Sequence, residues 1–158
     1  MEEVTNIRIA GLGGMGVLKA TLILGEVLFE EGYDVKKAEV HGMAQRGGSV
    51  SSDVRFGKSV KSPMIPSGKV DYLVSLEPEW SDAHMPDLRE GGVRISPEDF
   101  DASKLVSAKS MNVAALGALS LHLPGIPLER WNSVLRRLFP EKLWASNETA
   151  FKVGRGEL

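Results

Sequence analysis

Two glycine-rich segments hold the residues of this chain whose types and spacing could do chemistry. The first is the run Gly11-Leu12-Gly13-Gly14-Met15-Gly16, whose glycines have the spacing of a dinucleotide-binding turn. In such a turn the backbone amides and the dipole of the following helix attract a phosphate or a carboxylate. The pattern predicts anion or substrate binding at Gly11, Gly13, Gly14 and Gly16, while a turn that only packs a strand against a helix explains these glycines equally well.

The second segment joins two strand-like runs and combines glycines with a guanidinium, an amide and a thioether. Glycine lets another molecule approach the backbone closely. Arginine offers a planar fork of donors to a carboxylate or a phosphate. We predict that another molecule contacts this segment, and the alternative is a long turn that carries Arg46 into solvent. Its residues are His41, Gly42, Met43, Ala44, Gln45, Arg46, Gly47, Gly48, Ser49 and Val50.

Hydrophobic periodicity predicts the elements that position these segments. A strand over 6–10 runs into the first glycine segment, and apolar residues three and four apart then predict a helix from Val17 to a stop at Gly32. Polar residues alternate with apolar ones over 49–56, which predicts a strand in an edge or half-exposed position. Two further strands are predicted over 33–40 and 70–76.

The second half of the chain is less regular. We predict a short helix over 80–88, a turn at Gly91-Gly92 and a minor strand over 93–95. A small-residue helix over 112–119 and an amphipathic helix that starts at Pro127 follow. The order of elements predicts an α/β fold: a single three-layer Rossmann-like domain over residues 1–158, with a mainly parallel sheet and C-terminal helices.

Charge and hydropathy exclude two classes of partner. The formal net charge is −2 and no block of basic residues occurs, so we do not expect nucleic acid to bind. The start of the chain is acidic, and Lys19 and Glu26 interrupt its apolar stretch over 17–29. Neither an export signal nor a membrane span is predicted, and the expected location is the cytoplasm.

Cysteine and histidine usage restricts the chemistry further. The chain has no cysteine, which removes disulfides, thiolate nucleophiles and the usual ligands of iron–sulfur clusters. The histidines His41, His84 and His122 lack the close spacing of a metal-binding pair. We therefore predict no metal site and no cofactor held by cysteine.

No catalytic residue can be predicted with a full set of partners. His41 and Ser49 flank one segment, but neither an oxyanion hole nor an orienting carboxylate accompanies them. Glu39 stands about where a dinucleotide-binding fold places a ribose-binding acid, and we expect Glu39, Asp53 and Glu77 near the carboxyl ends of strands. The residues alone leave two alternatives open, a free-standing NAD(P)- or flavin-binding protein and a non-catalytic interaction module.

Five segments spread over most of the chain carry a family resemblance. They are Ile9-Ala10-Gly11-Leu12-Gly13-Gly14-Met15-Gly16, the run 41–50, Ser52-Asp53-Val54-Arg55, Leu76-Glu77-Pro78 and Asn112-Val113-Ala114-Ala115-Leu116-Gly117-Ala118. Together they resemble the gamma-type subunits of 2-oxoacid:ferredoxin oxidoreductases, and most closely the small beta subunit of the indolepyruvate branch. The likeness continues at 126–129 and 147–151. The interval from Pro78 to Asn112 is shorter than in many relatives, which leaves its strand count open.

The resemblance implies a reaction carried out by an assembly. A 2-oxoacid, coenzyme A and oxidised ferredoxin would become acyl-coenzyme A, carbon dioxide and reduced ferredoxin. Thiamine diphosphate and iron–sulfur clusters would belong to a large partner subunit, and we expect no cofactor on this chain. Alone, the chain is expected to be inactive and to form a homodimer that covers the surface intended for its partner.

The resemblance also implies roles for the two glycine-rich segments. Residues 42–49, with Gln45 and Arg46, are expected to dock against the large subunit near its active-site entrance, and Asn112 is expected to belong to the same region. The turn from Gly11 to Gly16 and the carboxylate of Glu77 are expected to contact the substrate or a phosphate of coenzyme A.

Overall fold

The computed structural model describes residues 3–41 and 49–158, the side chains of Val40 and His41 excepted. Its strands are β1 (Val4–Leu12), β2 (Asp34–His41), β3 (Ser49–Gly57), β4 (Val70–Ser75) and β5 (Leu88–Ile95). Its α-helices are α1 (Val17–Glu30), α2 (Pro78–Ser81), α3 (Met111–Ser120), α4 (Leu128–Leu138) and α5 (Trp144–Gly154). Short 3₁₀ turns occupy Asp82–Asp87, Pro97–Asp99, Ala102–Lys104, Ala108–Ser110 and Glu141–Leu143.

The strands form one sheet in the order β2-β3-β1-β4-β5. β1 pairs with β4 and β4 with β5 in parallel, whereas β3 is antiparallel to both of its neighbours. Four strands therefore run in one direction and only β3 opposes them. The predicted α/β fold is confirmed, and the sheet is mixed because a hairpin of β2 and β3 extends its parallel part.

The predicted edge position of the strand over 49–56 is wrong. β3 lies between β2 and β1, and its polar residues Ser51 and Asp53 are buried. Their alternation with apolar residues reflects a face of the sheet that is polar and covered. The edge strand of the hairpin is β2.

The hydrophobic core lies on the other face of the sheet, under the helices. Ile7 and Ile9 of β1, Val54 of β3 and Val74 of β4 point to this face and are fully or almost fully buried. Apolar residues of α1, α3, α4 and α5 pack onto them in one cluster. Trp131 of α4 is completely buried there against Phe151.

The layer on the polar face is thinner than a helical layer. Arg8 of β1 reaches across this face, and its guanidinium donates to both carboxylate oxygens of Asp53, at 2.7 and 3.1 Å. It also donates to Asp87 of the 3₁₀ turn at 2.6 Å, and His84 of that turn lies 3.4 Å away. The connection between β3 and β4 contributes carbonyls that accept from Arg55. The predicted third layer thus consists of turns held by ion pairs.

Strand β5 begins earlier than the sequence suggests. Gly91-Gly92 was predicted to turn the chain before a short strand, but β5 runs through it from Leu88 to Ile95. The register with β4 shifts there, since Val70 pairs with Leu88 and Tyr72 with Val93. Gly91 has a φ of 79°, so the dipeptide forms an irregularity within the strand. The predicted helix over 80–88 is instead α2 followed by the 3₁₀ turn.

Helices α3 and α5 touch backbone to backbone. A Cβ on Gly117 would overlap the carbonyl oxygen of Phe151, and a Cβ on Gly154 would overlap that of Ala114. Glycine inside a helix costs about 1 kcal/mol relative to alanine. Both glycines are therefore explained by this close crossing, which places α3 against the core.

We predict that Gly117→Ala and Gly154→Ala each lower the free energy of unfolding by about 1–3 kcal/mol. The overlap with a backbone carbonyl cannot be relieved by a rotamer change and outweighs the gain in helix propensity. Gly125→Ala is the matched control, because nothing lies within 4 Å of its Cβ position. Urea denaturation followed by circular dichroism measures all three variants, and equal stabilities would contradict the crossing.

We also predict that stability falls as the pH is lowered from about 7.5 to about 5.5, and that His84→Gln reduces this loss. Burial, followed by the charge of Arg8, lowers the pKa of His84 below its ordinary value of 6.5. Below pH 6.5 the His84 side chain of the unfolded chain binds a proton, whereas that of the folded chain stays neutral. The free energy of unfolding therefore decreases as the pH falls towards the pKa of His84 in the folded state. Denaturant titrations of the wild type and of His84→Gln at both pH values test this, and an equal loss in the two proteins would contradict it.

Candidate functional site

Both glycine-rich segments reach the same edge of the sheet. β1 ends at Leu12, which pairs with Ser49 at the start of β3, and His41 at the end of β2 pairs with Val50. On the other side, Ala10 pairs with Ser75 at the end of β4, and the backbone N–H of Leu76 donates to the Ala10 carbonyl at 2.8 Å. The carboxyl end of β1 is thus the centre of the candidate site.

The first glycine-rich segment forms the turn between β1 and α1. Different features of the structure explain its individual glycines. Gly11 belongs to β1, where a Cβ would lie 3.1 Å from the Cβ of Leu76 and 3.2 Å from Val17, so it allows close packing. Gly14 has a φ of 87° and nothing within 4 Å of its Cβ position. Gly13 and Gly14 are exposed. The turn therefore combines a packing glycine with an open stretch of backbone.

Gly16 joins this turn to a distant part of the chain. It is the N-cap of α1 with a φ of 79°, a conformation that favours glycine. Its carbonyl accepts from Nδ2 of Asn112 at 3.2 Å, and a Cβ on Gly16 would lie 2.5 Å from that nitrogen. Oδ1 of Asn112 accepts from the backbone N–H of Val113 at 2.9 Å. Asn112 is thus buried with its amide engaged, directly behind the turn.

An open pocket of about 460 Å³ lies in front of the N-terminus of α1. The first N–H groups of a helix have no acceptor within the helix, and Gly16 brings no capping side chain. Together with the helix dipole this favours a bound anion. The pocket is lined by Leu12, Gly13, Gly14, Gly16, Val17, Leu18, Lys19 and Val50.

Lys19 is a pocket residue that the sequence did not single out. Its Nζ donates to the carbonyl of Leu138 at 2.8 Å, at the end of α4, and lies 4.7 Å from the centre of the Phe139 ring. In the sequence Lys19 was only a charge that interrupts an apolar stretch. Its place in the first turn after Gly16 is the signal that could have identified it.

Glu77 lies directly after β4 and acts as a cap. Its Oε1 accepts from the backbone N–H of Glu79 at 2.9 Å, and its carbonyl accepts from the hydroxyl of Ser81 at 2.6 Å. These bonds start α2 beside the end of β1. Of the other predicted carboxylates, Asp53 lies within β3 on the polar face, paired with Arg8, and is not at the carboxyl edge.

The second glycine-rich segment is placed only by its two ends. His41 closes β2 and Ser49 opens β3, so the segment starts and finishes at the carboxyl edge of β1. The predicted residues Gly42, Met43, Gln45, Arg46, Gly47 and Gly48 lie outside the described residues, and so does the side chain of His41.

The sheet order argues against a dinucleotide site built on Glu39. In a dinucleotide-binding fold the strand with the ribose-binding acid lies beside the strand of the glycine turn. Here β3 separates β2 from β1, which moves Glu39 about 10 Å from β1 at the usual strand spacing. Glu39 is exposed at the outer strand.

The described ranges, 3–41 and 49–158, lack the features of two other kinds of site. They contain no cluster of three or more His, Asp or Glu side chains arranged to hold a metal ion. None of their helices combines the length and the apolar character needed to cross a bilayer.

The fold and this carboxyl-edge site define an α/β protein with an open glycine turn at the end of its central strand. Residues 6–104 match the family described as pyruvate ferredoxin/flavodoxin oxidoreductase. The chain belongs to this family. It is 35% identical to the indolepyruvate oxidoreductase subunit IorB of Thermococcus kodakarensis, over 94% of this chain and 93% of that protein. That alignment spans 189 positions, so the relative contains insertions with respect to these 158 residues.

Solved structures share the fold. The gamma subunit of a keto/oxoacid ferredoxin oxidoreductase from Geobacter sulfurreducens superposes with a TM-score of 0.79 at 24% identity, over 97% of both chains. A 2-oxoglutarate:ferredoxin oxidoreductase from Magnetococcus marinus, with 2-oxoglutarate, coenzyme A and succinyl-CoA bound, gives 0.78 at 22% identity. That match covers 99% of this chain and 31% of the other, so the same fold occurs there within a longer polypeptide.

We predict that Gly16→Ala lowers the free energy of unfolding by more than Gly32→Ala does. Both glycines have positive φ values, so both changes introduce strain of about 1–2 kcal/mol. Only Gly16→Ala also forces a Cβ against Asn112, which adds about 1 kcal/mol or more. Denaturation of Gly16→Ala, Asn112→Ala and the double variant forms a cycle in which removal of the amide recovers part of the loss. Strict additivity would contradict the contact.

Proposed function

We propose that this chain is the small subunit of an indolepyruvate-type 2-oxoacid:ferredoxin oxidoreductase. The observation that carries the proposal is the match to an indolepyruvate oxidoreductase subunit along 94% of the chain. In this proposal residues 1–158 form one gamma-type domain that supports the coenzyme A-dependent oxidative decarboxylation of a 2-oxoacid, with the electrons passed to ferredoxin.

The reactive groups of the proposed enzyme belong to a large partner subunit. Thiamine diphosphate would supply the carbanion chemistry there, and iron–sulfur clusters would carry the electrons. This chain would help to position the reacting groups and to shield them from solvent. The chain has no cysteine to ligate a cluster. We propose that it acts in the cytoplasm as part of a complex whose catalytic residues belong to the large subunit.

The glycine turn is proposed to hold a phosphate of coenzyme A. Support comes from the open backbone at Gly13 and Gly14, from the uncapped N-terminus of α1, and from the pocket of about 460 Å³ in front of them. Lys19 lines this pocket and could turn from the Leu138 carbonyl towards an anion. Gly11, Gly16 and Glu77 shape the site, Gly11 and Gly16 by packing and Glu77 by capping α2.

The second segment is proposed to form the entrance between the two subunits. Its ends at His41 and Ser49 adjoin the glycine turn at the carboxyl edge of β1. Arg46 would contact the large subunit or the substrate carboxylate, together with Met43 and Gln45, and Gly42, Gly47 and Gly48 would let the partner approach the backbone. Asn112 would act from behind the turn by fixing Gly16.

We predict that Arg46→Ala and Gln45→Ala lower kcat/KM of the reconstituted complex, or its assembly, without unfolding the chain. For Arg46→Ala the expected loss is about ten- to a hundredfold, the effect of removing a hydrogen bond to a charged group. The chain is co-expressed with a thiamine- and cluster-containing large subunit and assayed with a viologen acceptor across several 2-oxoacids. Arg89→Ala, at the opposite end of the sheet, is the matched control.

Two outcomes separate the parts of this proposal. If the large subunit with this chain oxidises no 2-oxoacid, the proposed function is wrong. If the complex is active and the Arg46 and Gln45 variants assemble and turn over like the Arg89 control, only the role of the second segment is wrong.

A further inference from the structure

The outer side of β2 is free within the described part of the chain. β2 is the first strand of the sheet, and its eight residues pair with β3 on one side only. An unpaired strand of this length presents a row of backbone donors and acceptors to which another strand can add. The connection between β3 and β4 reaches β2 at its first residue, where the Val60 N–H donates to Asp34.

Of the charged residues on this free strand, Asp34 and Lys36 pair with each other, and the other two flank a small central residue. Lys37 and Glu39 flank Ala38 and are both exposed. They point to the helix side of the sheet, since Lys37 lies over Gly25 of α1 and Glu39 lines a groove with Lys37 beside Leu18. Among the described residues neither side chain has an ion-pair partner. Each charge is therefore available to a neighbour.

An apolar groove follows the same edge. Two openings of about 330 and 220 Å³ lie between the outer side of α1 and β2, and Lys37 lines both. Leu18 and Leu22 contribute apolar surface at one end, and Phe29 contributes it at the other. Leu18 is 40% exposed and Phe29 is 68% exposed. Exposed leucine and phenylalanine beside a free strand indicate a covered surface in an assembly.

A second copy of this chain matches this edge in charge. Two β2 strands can pair antiparallel about a two-fold axis perpendicular to the sheet, which keeps the helices of both copies on one side. The axis then passes midway between the two copies of one residue, which lie directly opposite each other. Centring on Lys37 or on Glu39 would oppose like charges, whereas centring on Ala38 places Lys37 of each copy opposite Glu39 of the other.

We propose that the chain forms a two-fold dimer through β2, with Ala38 at the axis and two reciprocal Lys37–Glu39 ion pairs. The two five-stranded sheets join into one continuous sheet. Because Phe29 lies beside Val35 and Leu18 lies beside Glu39, this register brings Phe29 of one copy towards Leu18 and Leu22 of the other. The grooves therefore close each other over apolar side chains. This dimer concerns the chain alone and does not rest on the proposed function.

Charge reversal tests the register. Glu39→Lys places two lysine side chains opposite each other at both ion-pair positions, and Lys37→Glu places two glutamates there. Each variant is therefore expected to weaken the dimer at least about tenfold in dissociation constant. Mixing the two variants restores an attractive pair at each position where they meet, and a heterodimer is expected. Light scattering after size-exclusion chromatography and sedimentation velocity of the full chain measure these states.

The controls keep the test independent of folding. Lys142→Glu, an exposed change on another surface, is expected to stay dimeric. Lys37 packs its aliphatic part over Gly25, 3.2 Å from the Cβ position there, so Glu39→Lys is the cleaner change. Circular dichroism and melting temperature establish that each variant is folded.

Several outcomes would overturn the proposal. They are a wild-type chain that is monomeric at every concentration, single variants that dimerise as well as the wild type, and a mixture of the two variants that stays monomeric. A β2 whose amides gain protection from hydrogen exchange only when the large subunit is added would do the same, because the edge would then belong to that subunit.

Discussion

The contact between Asn112 and Gly16 is the constraint on which the rest of the structure depends. It joins residues 96 positions apart and locks the turn after β1 to the start of α3. Gly16 must have a positive φ to start α1 and must lack a side chain to admit the amide. One position therefore sets the direction of α1, the openness of the pocket before it and the place of α3 behind the sheet.

The constraint continues from α3 into the C-terminal helices. Gly117 and Gly154 let α3 and α5 approach until backbone meets backbone, and α5 in turn packs Phe151 against Trp131 of α4. A movement of α5 would therefore displace α3 and with it Asn112, at the edge of the candidate site. The glycine turn is supported by the whole helical layer, while its front remains open backbone.

The two faces of the sheet are held by different forces. The helix face is stabilised by apolar burial, and the polar face by Arg8 between Asp53 and Asp87. Partly buried ion pairs contribute little net stability, because desolvation offsets their attraction, but they specify which turn covers the sheet. The candidate site lies at the carboxyl ends of the strands around β1, and the proposed dimer uses the outer side of β2, so the two surfaces are separate parts of one sheet.

The sequence by itself determined the local units and the family. The strand, glycine turn and helix from 6 to 32, the strands at 33–40 and 70–76 and the helix at 112–119 all follow from periodicity and breakers, because these signals act within a few residues. The candidate glycines were also found this way. Tertiary structure decided the rest, because it depends on partners distant in the chain. Asp53 of β3 is buried because Arg8 pairs with it, and Asp87 in turn holds Arg8. Gly91-Gly92 stays within a strand because β4 pairs with β5 on both sides of it, at Leu88 and at Val93. Likewise, the position of Lys19 at the pocket depends on Leu138, whose carbonyl lies beside α1 and accepts from its ammonium group. β2 is the free edge because β3 lies between it and β1.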